Sequence, residues 1–379
     1  MEDNQEGFTV TTSATTAALF TPFTISTLAL ANRIVMAPMT RSQSPGGVPD
    51  DRVVGYYRRR AEHGVGLIVT EGTAIAHPAA VSSPNIPRFH GADALAGWAK
   101  VVAAVHGAGG HIVPQLWHVG TARKLGSEPN PEAVPVGPSG LDLTGEPVSA
   151  PLTEAEVGAL IDAYAQAAAD AERLGFDGIE LHGAHGYLID QFFWERTNRR
   201  VDKYGGDFVA RTRFAVDVIK ACRARTSPTF PIILRFSQWK LNEYDAKLVT
   251  TPDELARFLA PLAAAGVDAF HCSTRRFWQP EFAGSDLNLA GWTKKLTGRP
   301  TITVGSVGLD NEFMSSLREG KNAQLVGLDP IVKMVERGDV DLVAVGRALL
   351  VDPAWAEKVR EGRFAELLPF TPEALKTLS

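Results

Sequence analysis

Two histidines and a tyrosine fall close together in the stretch Leu181-His182-Gly183-Ala184-His185-Gly186-Tyr187. The stretch overlaps the end of the apolar run Gly178-Ile179-Glu180-Leu181, so the trio stands where a buried strand is expected to finish. Imidazole N–H groups can donate to an oxygen that gains negative charge. A phenol, with a pKa near about 10, keeps its proton at neutral pH and can still give it up in a reaction. Together these groups could polarise a carbonyl and protonate its neighbouring carbon.

Other polar residues and glycines fall at the ends of other apolar runs: Met39-Thr40, Glu71-Gly72, Gln115 and His118, Arg235, Ser273, Gly305-Ser306 and Gly346-Arg347. Arg235 would bring a fixed positive charge, and Gln115 both a donor and an acceptor. That pair suits a planar heterocycle with amide-like edges, such as the pyrimidine half of a flavin, where a nearby cation favours the reduced anionic ring. Arg235 could instead serve a buried ion pair. Gly305-Ser306 and Gly346-Arg347 supply close backbone N–H groups and one bidentate cation, which suits a phosphate. The competing reading has Gly346 start a turn and Arg347 pair with an acid. A Zn²⁺ site built on His182 and His185, with His118 or His271, is the other chemistry open to these residues. Against it, no H-E-x-x-H occurs, and Glu180 is the one nearby carboxylate, with its side chain expected to face away from its neighbour's.

The elements that must position these groups are short β-branched runs: Arg33–Ala37, Gly66–Thr70, His111–Leu116, Gly178–Leu181, Ile232–Phe236, Val267–Cys272, Thr301–Val304 and Leu342–Val345. Most are continuously apolar, as buried parallel strands are. Helical segments fall between them. In Thr153–Leu174, Thr153 and Glu156 form a capping box. Thr251-Pro252-Asp253-Glu254 opens another helix in the same way, and Asp93–Ala108 and Phe208–Ala224 are further candidates. The pattern predicts an α/β fold, a (β/α)8 TIM barrel, in which strand ends converge on the C-terminal face. An open doubly wound sheet lacks support, since no G-x-G-x-x-G follows a strand.

Phe20–Leu30 is expected to be an N-terminal β-hairpin plugging the barrel floor. Long loops are expected after strand three (Val119–Pro151) and strand six (Thr274–Arg299, carrying Phe277, Trp278, Phe282 and Trp292), as lids or as packed aromatics. Residues 1–18 read as a mobile arm and residues 19–379 as a single domain. The chain is 45% hydrophobic and 21% charged, with net charge −5, so it can build a core and offers no basic footprint for nucleic acid. The Arg58-Arg59-Arg60 run reads as a solvated helix face. Cys222 and Cys272 read as free thiols. With neither a signal peptide nor an apolar span of about 20 residues, a cytoplasmic protein without membrane contact is expected, as monomer or homodimer.

From Leu19 to about Ala356 the chain resembles the Old Yellow Enzyme family of FMN-dependent ene-reductases. The resemblance rests on Leu19-Phe20-x-Pro22-Phe23, Asn32-Arg33-Ile34-Val35-Met36-Ala37-Pro38-Met39-Thr40-Arg41, Thr70-Glu71-Gly72 and Gln115-Leu116-Trp117-His118-Val119-Gly120. It continues through His182-Gly183-Ala184-His185-Gly186-Tyr187-Leu188, Asn198-Arg199-Arg200-x-Asp202-x-Tyr204-Gly205-Gly206 and Val345-Gly346-Arg347. It implies FMN as cofactor, with Pro38, Met39, Thr40, Gly72, Gln115 and Arg235 at the ring and Gly305, Ser306, Gly346 and Arg347 at the phosphate. His182 and His185 would bind a substrate carbonyl, Tyr187 would donate a proton, and Trp117 would line the substrate pocket. The implied reaction is ping-pong: NAD(P)H reduces FMN, then flavin N5 delivers hydride to the C=C bond of an α,β-unsaturated carbonyl compound. Thr121, where the family commonly has Arg, and the Gly305-Ser306-Val307-Gly308 turn depart from the pattern. The tail, Glu357–Ser379, offers no residue that carries over to the pocket.

Overall fold

The computed structural model describes residues 15–379, the side chains of residues 317 and 318 aside. All eight apolar runs form parallel strands, labelled here in chain order after a short hairpin. The hairpin strands are β1 (Phe23–Ile25) and β2 (Leu28–Leu30). The others are β3 (Ile34–Met36), β4 (Leu67–Ala74), β5 (Ile112–Trp117), β6 (Ile179–His185), β7 (Ile232–Lys240), β8 (Ala269–Ser273), β9 (Thr301–Val304) and β10 (Leu342–Val345). They close a barrel in sequence order, β10 pairing with β3 through Val343↔Ile34. This is the (β/α)8 barrel.

The helices are α1 (Asp51–Glu62), α2 (Ala92–Gly107), α3 (Glu154–Arg173), α4 (Leu188–Phe193), α5 (Arg213–Ala224) and α6 (Pro252–Ala264). They continue with α7 (Leu289–Thr297), α8 (Phe313–Glu319), α9 (Asp329–Glu336), α10 (Arg347–Val351) and α11 (Trp355–Arg360). Both expected capping boxes are present, Thr153 with Glu156 and Thr251 with Glu254. Each satisfies backbone donors that a helix start leaves without partners. The main core lies between barrel and helices, where apolar residues from both layers are buried.

β1 and β2 pair antiparallel, Thr24↔Ala29, and cap the N-terminal end of the barrel. Ile25, Leu28 and Leu30 pack with the inward Leu67, Val113, Ile233, Ala269 and Leu342. Ser26 and Thr27 hydroxyls both donate to the Thr229 carbonyl just ahead of β7. The floor is thus closed by apolar side chains, and the open end is the C-terminal one.

Four expectations need correction. Residues 1–14 of the expected arm lie outside the described residues, but Thr16–Phe20 is a 3-10 helix anchored by Thr16 Oγ1 donating to the Val359 carbonyl. The loop expected over Thr274–Arg299 contains α7, so Trp292 is a helix residue, and Phe277 and Phe282 are buried packing. Arg60 is not solvated. It is fully buried in α1, 3.9 Å over the Tyr56 ring, and donates to the Leu349 and Leu350 carbonyls. Strands β4, β6 and β7 run further than the apolar runs, through Glu71–Ala74, His182–His185 and Ser237–Lys240. Among the described residues no helix is long and apolar enough to cross a membrane.

Candidate functional site

The barrel mouth holds a cavity of about 520 Å³. Of the residues singled out from sequence, Pro38, Met39, Thr40, Gln115, Trp117, His182, His185, Tyr187, Arg235, Gly305, Ser306, Gly346 and Arg347 line it. They come from six strand ends, which only barrel closure brings together. Gly72 stands apart from the wall. A Cβ there would fall 2.5 Å from Trp117 Cε3, so its bare backbone makes room for the indole.

At one side, β6 delivers the aromatic group. The His182 and His185 rings are 5.2 Å apart and nearly perpendicular, and Tyr187 lies 5.0 Å from His182 and 4.9 Å from Trp117. His185 adopts a left-handed backbone, φ 66°, which non-glycine residues rarely take and which tends to persist at functional sites. Its N–H donates to Ser237 Oγ, its Nε2 lies 2.8 Å from Ser273 Oγ, and its ring stacks on Trp239 at 4.2 Å. Below it, Gly186 N–H donates to Asp190, Gln191 donates to the Gly186 carbonyl, and Asp190 is paired with Lys240 at 2.8 Å in full burial. Burial, reinforced by the Arg235 cation, pushes both histidines well below the usual imidazole range, so they are neutral. Burial also lifts the Tyr187 phenol to about 12.

Along the cavity floor, Arg235 donates from Nη2 to Ser273 Oγ at 3.2 Å. Among the described residues its Nε and Nη1 are buried with no partner and no carboxylate lies in ion-pair contact with it, although the buried Glu180 charge still acts on it. Gln115 donates to Glu180, which also meets His271 Nδ1 at 2.6 Å. His271 is therefore committed to Glu180, and His118 to His77 at 2.9 Å. Neither joins His182 and His185, and the metal reading is not favoured. Glu180 faces inward on the same strand face as His182, opposite to its neighbour Leu181, and is taken up by Gln115 and His271.

At the opposite side the loops after β9 and β10 meet. A Cβ on Gly305 (φ 145°) would strike the Thr274 carbonyl at 2.7 Å, and Ser306 sits at φ 56°. Arg347 donates to Ser316 Oγ at 2.6 Å and to the Asn311 carbonyl, and among the described residues no carboxylate is in ion-pair contact with it. The loop after β3 is held by Glu71, whose Oε2 accepts from the Arg41 and Ser42 N–H groups at 2.8 and 3.0 Å. Sequence reasoning missed Leu375, which lines the cavity from the tail, whereas Ser273, noted as a polar residue at a strand end, is in the wall as that position implies. Thr121 is buried, and its N–H donates to Gln191 Oε1 at 3.1 Å.

Fold and site together define an oxidoreductase-type barrel with a cradle for a planar ring bearing a phosphate. The orphaned donors of Arg235 and the bare Gly305 backbone fit FMN, one meeting an electron-rich ring edge and the other allowing close approach. Residues 18–366 match the model of the NADH:flavin oxidoreductase / NADH oxidase family. An NADH oxidase from Thermoanaerobacter brockii is 35% identical over 362 residues, 92% of this chain, which spans only about half (52%) of that protein. A 12-oxophytodienoate reductase 7 from Oryza sativa subsp. japonica is 32% identical, covering 91% of this chain and 88% of that one. Among solved structures, morphinone reductase in complex with tetrahydroNAD superposes with TM-score 0.77 at 30% identity, covering 94% of this chain and 93% of that one. The chain belongs to the NADH:flavin oxidoreductase family, the Old Yellow Enzyme family, whose members are FMN-dependent oxidoreductases that use NAD(P)H.

Proposed function

We propose that this enzyme reduces the C=C bond of α,β-unsaturated carbonyl compounds at the expense of NAD(P)H, both reactants using the one cavity in turn. The observation that carries the reading is the convergence of two neutral imidazoles and a phenol on a cavity floored by a guanidinium with two unsatisfied donors. Arg235, Gln115 and the Pro38–Thr40 loop would hold the FMN ring, and Gly305, Ser306, Gly346 and Arg347 its phosphate. FMN held there would supply the two-electron hydride chemistry that links NAD(P)H to the alkene. His182 and His185 donate to the carbonyl oxygen as it becomes enolate-like, a role that needs neutral rings with N–H groups rather than bases. Tyr187 supplies the proton to the α-carbon. With its pKa lifted to about 12, it stays charged with that proton across the physiological range. Trp117, filling the space Gly72 leaves, walls the substrate side.

The test is stopped-flow separation of the two half-reactions on FMN-loaded protein, with 2-cyclohexenone as acceptor. Tyr187→Phe should slow reoxidation by the enone about 10²- to 10³-fold and leave flavin reduction by NADPH within a few-fold of wild type. His182→Ala should weaken phenol binding and slow the same half-reaction about 10²-fold. Equal loss in both half-reactions for Tyr187→Phe, or no loss for His182→Ala, overturns the assignment.

A further inference from the structure

We propose that Ser273 is a positioning residue that fixes the tautomer of His185, so that Nδ1 carries the proton His185 presents to the substrate oxygen. The inference rests on the reading of His185 as a carbonyl-binding group. Ser273 Oγ stands between two partners, Arg235 Nη2 at 3.2 Å and His185 Nε2 at 2.8 Å. A guanidinium can only donate, so Arg235 takes one lone pair of the hydroxyl. The hydroxyl keeps one proton of its own. His185 Nε2 is the remaining partner shown for Ser273 Oγ, and a buried hydroxyl left without an acceptor is disfavoured. Ser273 therefore donates to Nε2, which must be unprotonated. His185 is neutral, so its single proton sits on Nδ1.

The surroundings keep this arrangement from slipping. The His185 ring is stacked on Trp239, and the Trp239 indole N–H donates to the Ser273 carbonyl at 3.1 Å. The His185 backbone N–H is tied to Ser237 Oγ, so neither a ring flip nor a backbone shift is free. His182 is set by a different device. Its Nδ1 accepts from the Ala184 N–H across 3.4 Å, which leaves Nε2 as its donor. The two imidazoles thus reach one oxygen with opposite nitrogens. The polarity of the chain also matters. A hydroxyl polarised by Arg235 and donating to Nε2 withdraws electron density from the ring and makes Nδ1–H a stronger donor. This is the reverse of a carboxylate behind an imidazole, which would make the ring a better base.

The experiment is ¹⁵N NMR of the histidine rings in the FMN-loaded enzyme, joined to titration with a para-substituted phenol followed by the flavin absorbance. Wild type should show His185 in the Nδ1–H form and His182 in the Nε2–H form. In Ser273→Ala, His185 alone should become a tautomer mixture, and phenol binding should weaken roughly five- to tenfold, the worth of one hydrogen bond. Ser273→Thr, which restores a hydroxyl, should recover both signatures and also guards against a fold defect in the alanine variant. An Nε2–H form of His185 in wild type overturns the proposal, as does a Ser273→Ala spectrum that leaves His185 unchanged or moves both histidines together. Failure of wild type to bind phenol at all would instead count against His185 as the carbonyl-binding group. The two failures are therefore distinguishable.

Discussion

Glu71 shows how one side chain, remote from the expected chemistry, can govern a ligand loop. Its carboxylate holds the backbone of Arg41 and Ser42, and its own N–H donates to Tyr57 Oη at 2.8 Å. Burial lifts its pKa to about 7, with the two backbone donors and Arg41 pulling the other way. The sign follows from proton counts. Between the ordinary value of 4.5 and about 7 the folded state binds more protons than the unfolded state. Stability contributed by this site therefore falls as pH rises through that window and is flat above it. Glu71→Gln keeps an acceptor oxygen for the loop and cannot ionise. Denaturant titrations at pH 5 and pH 8 should show the variant gaining on wild type as pH rises, by about 3 kcal/mol at most. A pH-independent difference would mean that Glu71 does not titrate in this window. Such a role was not legible in Thr70-Glu71-Gly72, because the acceptors of a backbone loop depend on where the loop after β3 folds.

At the scale of elements, the turn from β6 into α4 carries the histidines and the tyrosine, and it is pinned from below. Lys240, the last residue of β7, reaches Asp190 in α4, and Asp190 in turn accepts from Gly186 N–H. Both charges are fully buried, with burial pushing the Asp190 carboxyl up and the Lys240 ammonium down while each partner opposes the shift. Removing one partner of such a pair leaves an uncompensated charge, whereas replacing both can be close to neutral. Lys240→Met should therefore cost about 3–5 kcal/mol. Adding Asp190→Asn, which keeps an oxygen for Gly186, should restore most of that loss. Thermal unfolding of the single and double variants checks it, and simple additivity of the two losses would show that the pair does not act as a unit. The sequence made the strand cores plain, since continuous runs such as Ile232–Phe236 have few other readings. It hid the extensions Ser237–Lys240 and Glu71–Ala74, because polar residues there are paid for by partners on other elements. Arg60 differs from expectation for the same reason: α1 periodicity cannot reveal that Tyr56 and the Leu349 and Leu350 carbonyls of α10 cover its guanidinium.

Across the whole molecule, the two ends of the barrel are closed by different means. The floor hairpin uses apolar side chains, a pattern visible in Ile25, Leu28 and Leu30. The open end is partly covered by the tail, which the sequence left blank because its backbone carbonyls do the binding and carbonyls have no residue signature. Arg41 Nη2 donates to the carbonyls of Ala374, Leu375 and Thr377, while Arg59 and Arg60 take those of Leu378 and Ser379. Phe370 pairs with Ala323 and lies 5.5 Å from Arg347, so the tail also braces the proposed phosphate corner. Leu375 then sits in the cavity wall. A terminal cover held by a few arginine-to-carbonyl bonds and by partly buried Ala374, Leu375 and Leu378 is expected to open at lower cost than the barrel. Arg41→Ala should therefore speed FMN release about tenfold, since roughly 1.4 kcal/mol of lost bonding corresponds to that factor. The melting temperature of the barrel itself should change little. Free flavin fluorescence after dilution measures the release rate directly, and an unchanged rate in Arg41→Ala would show that the tail rests on the mouth without retaining what lies beneath it.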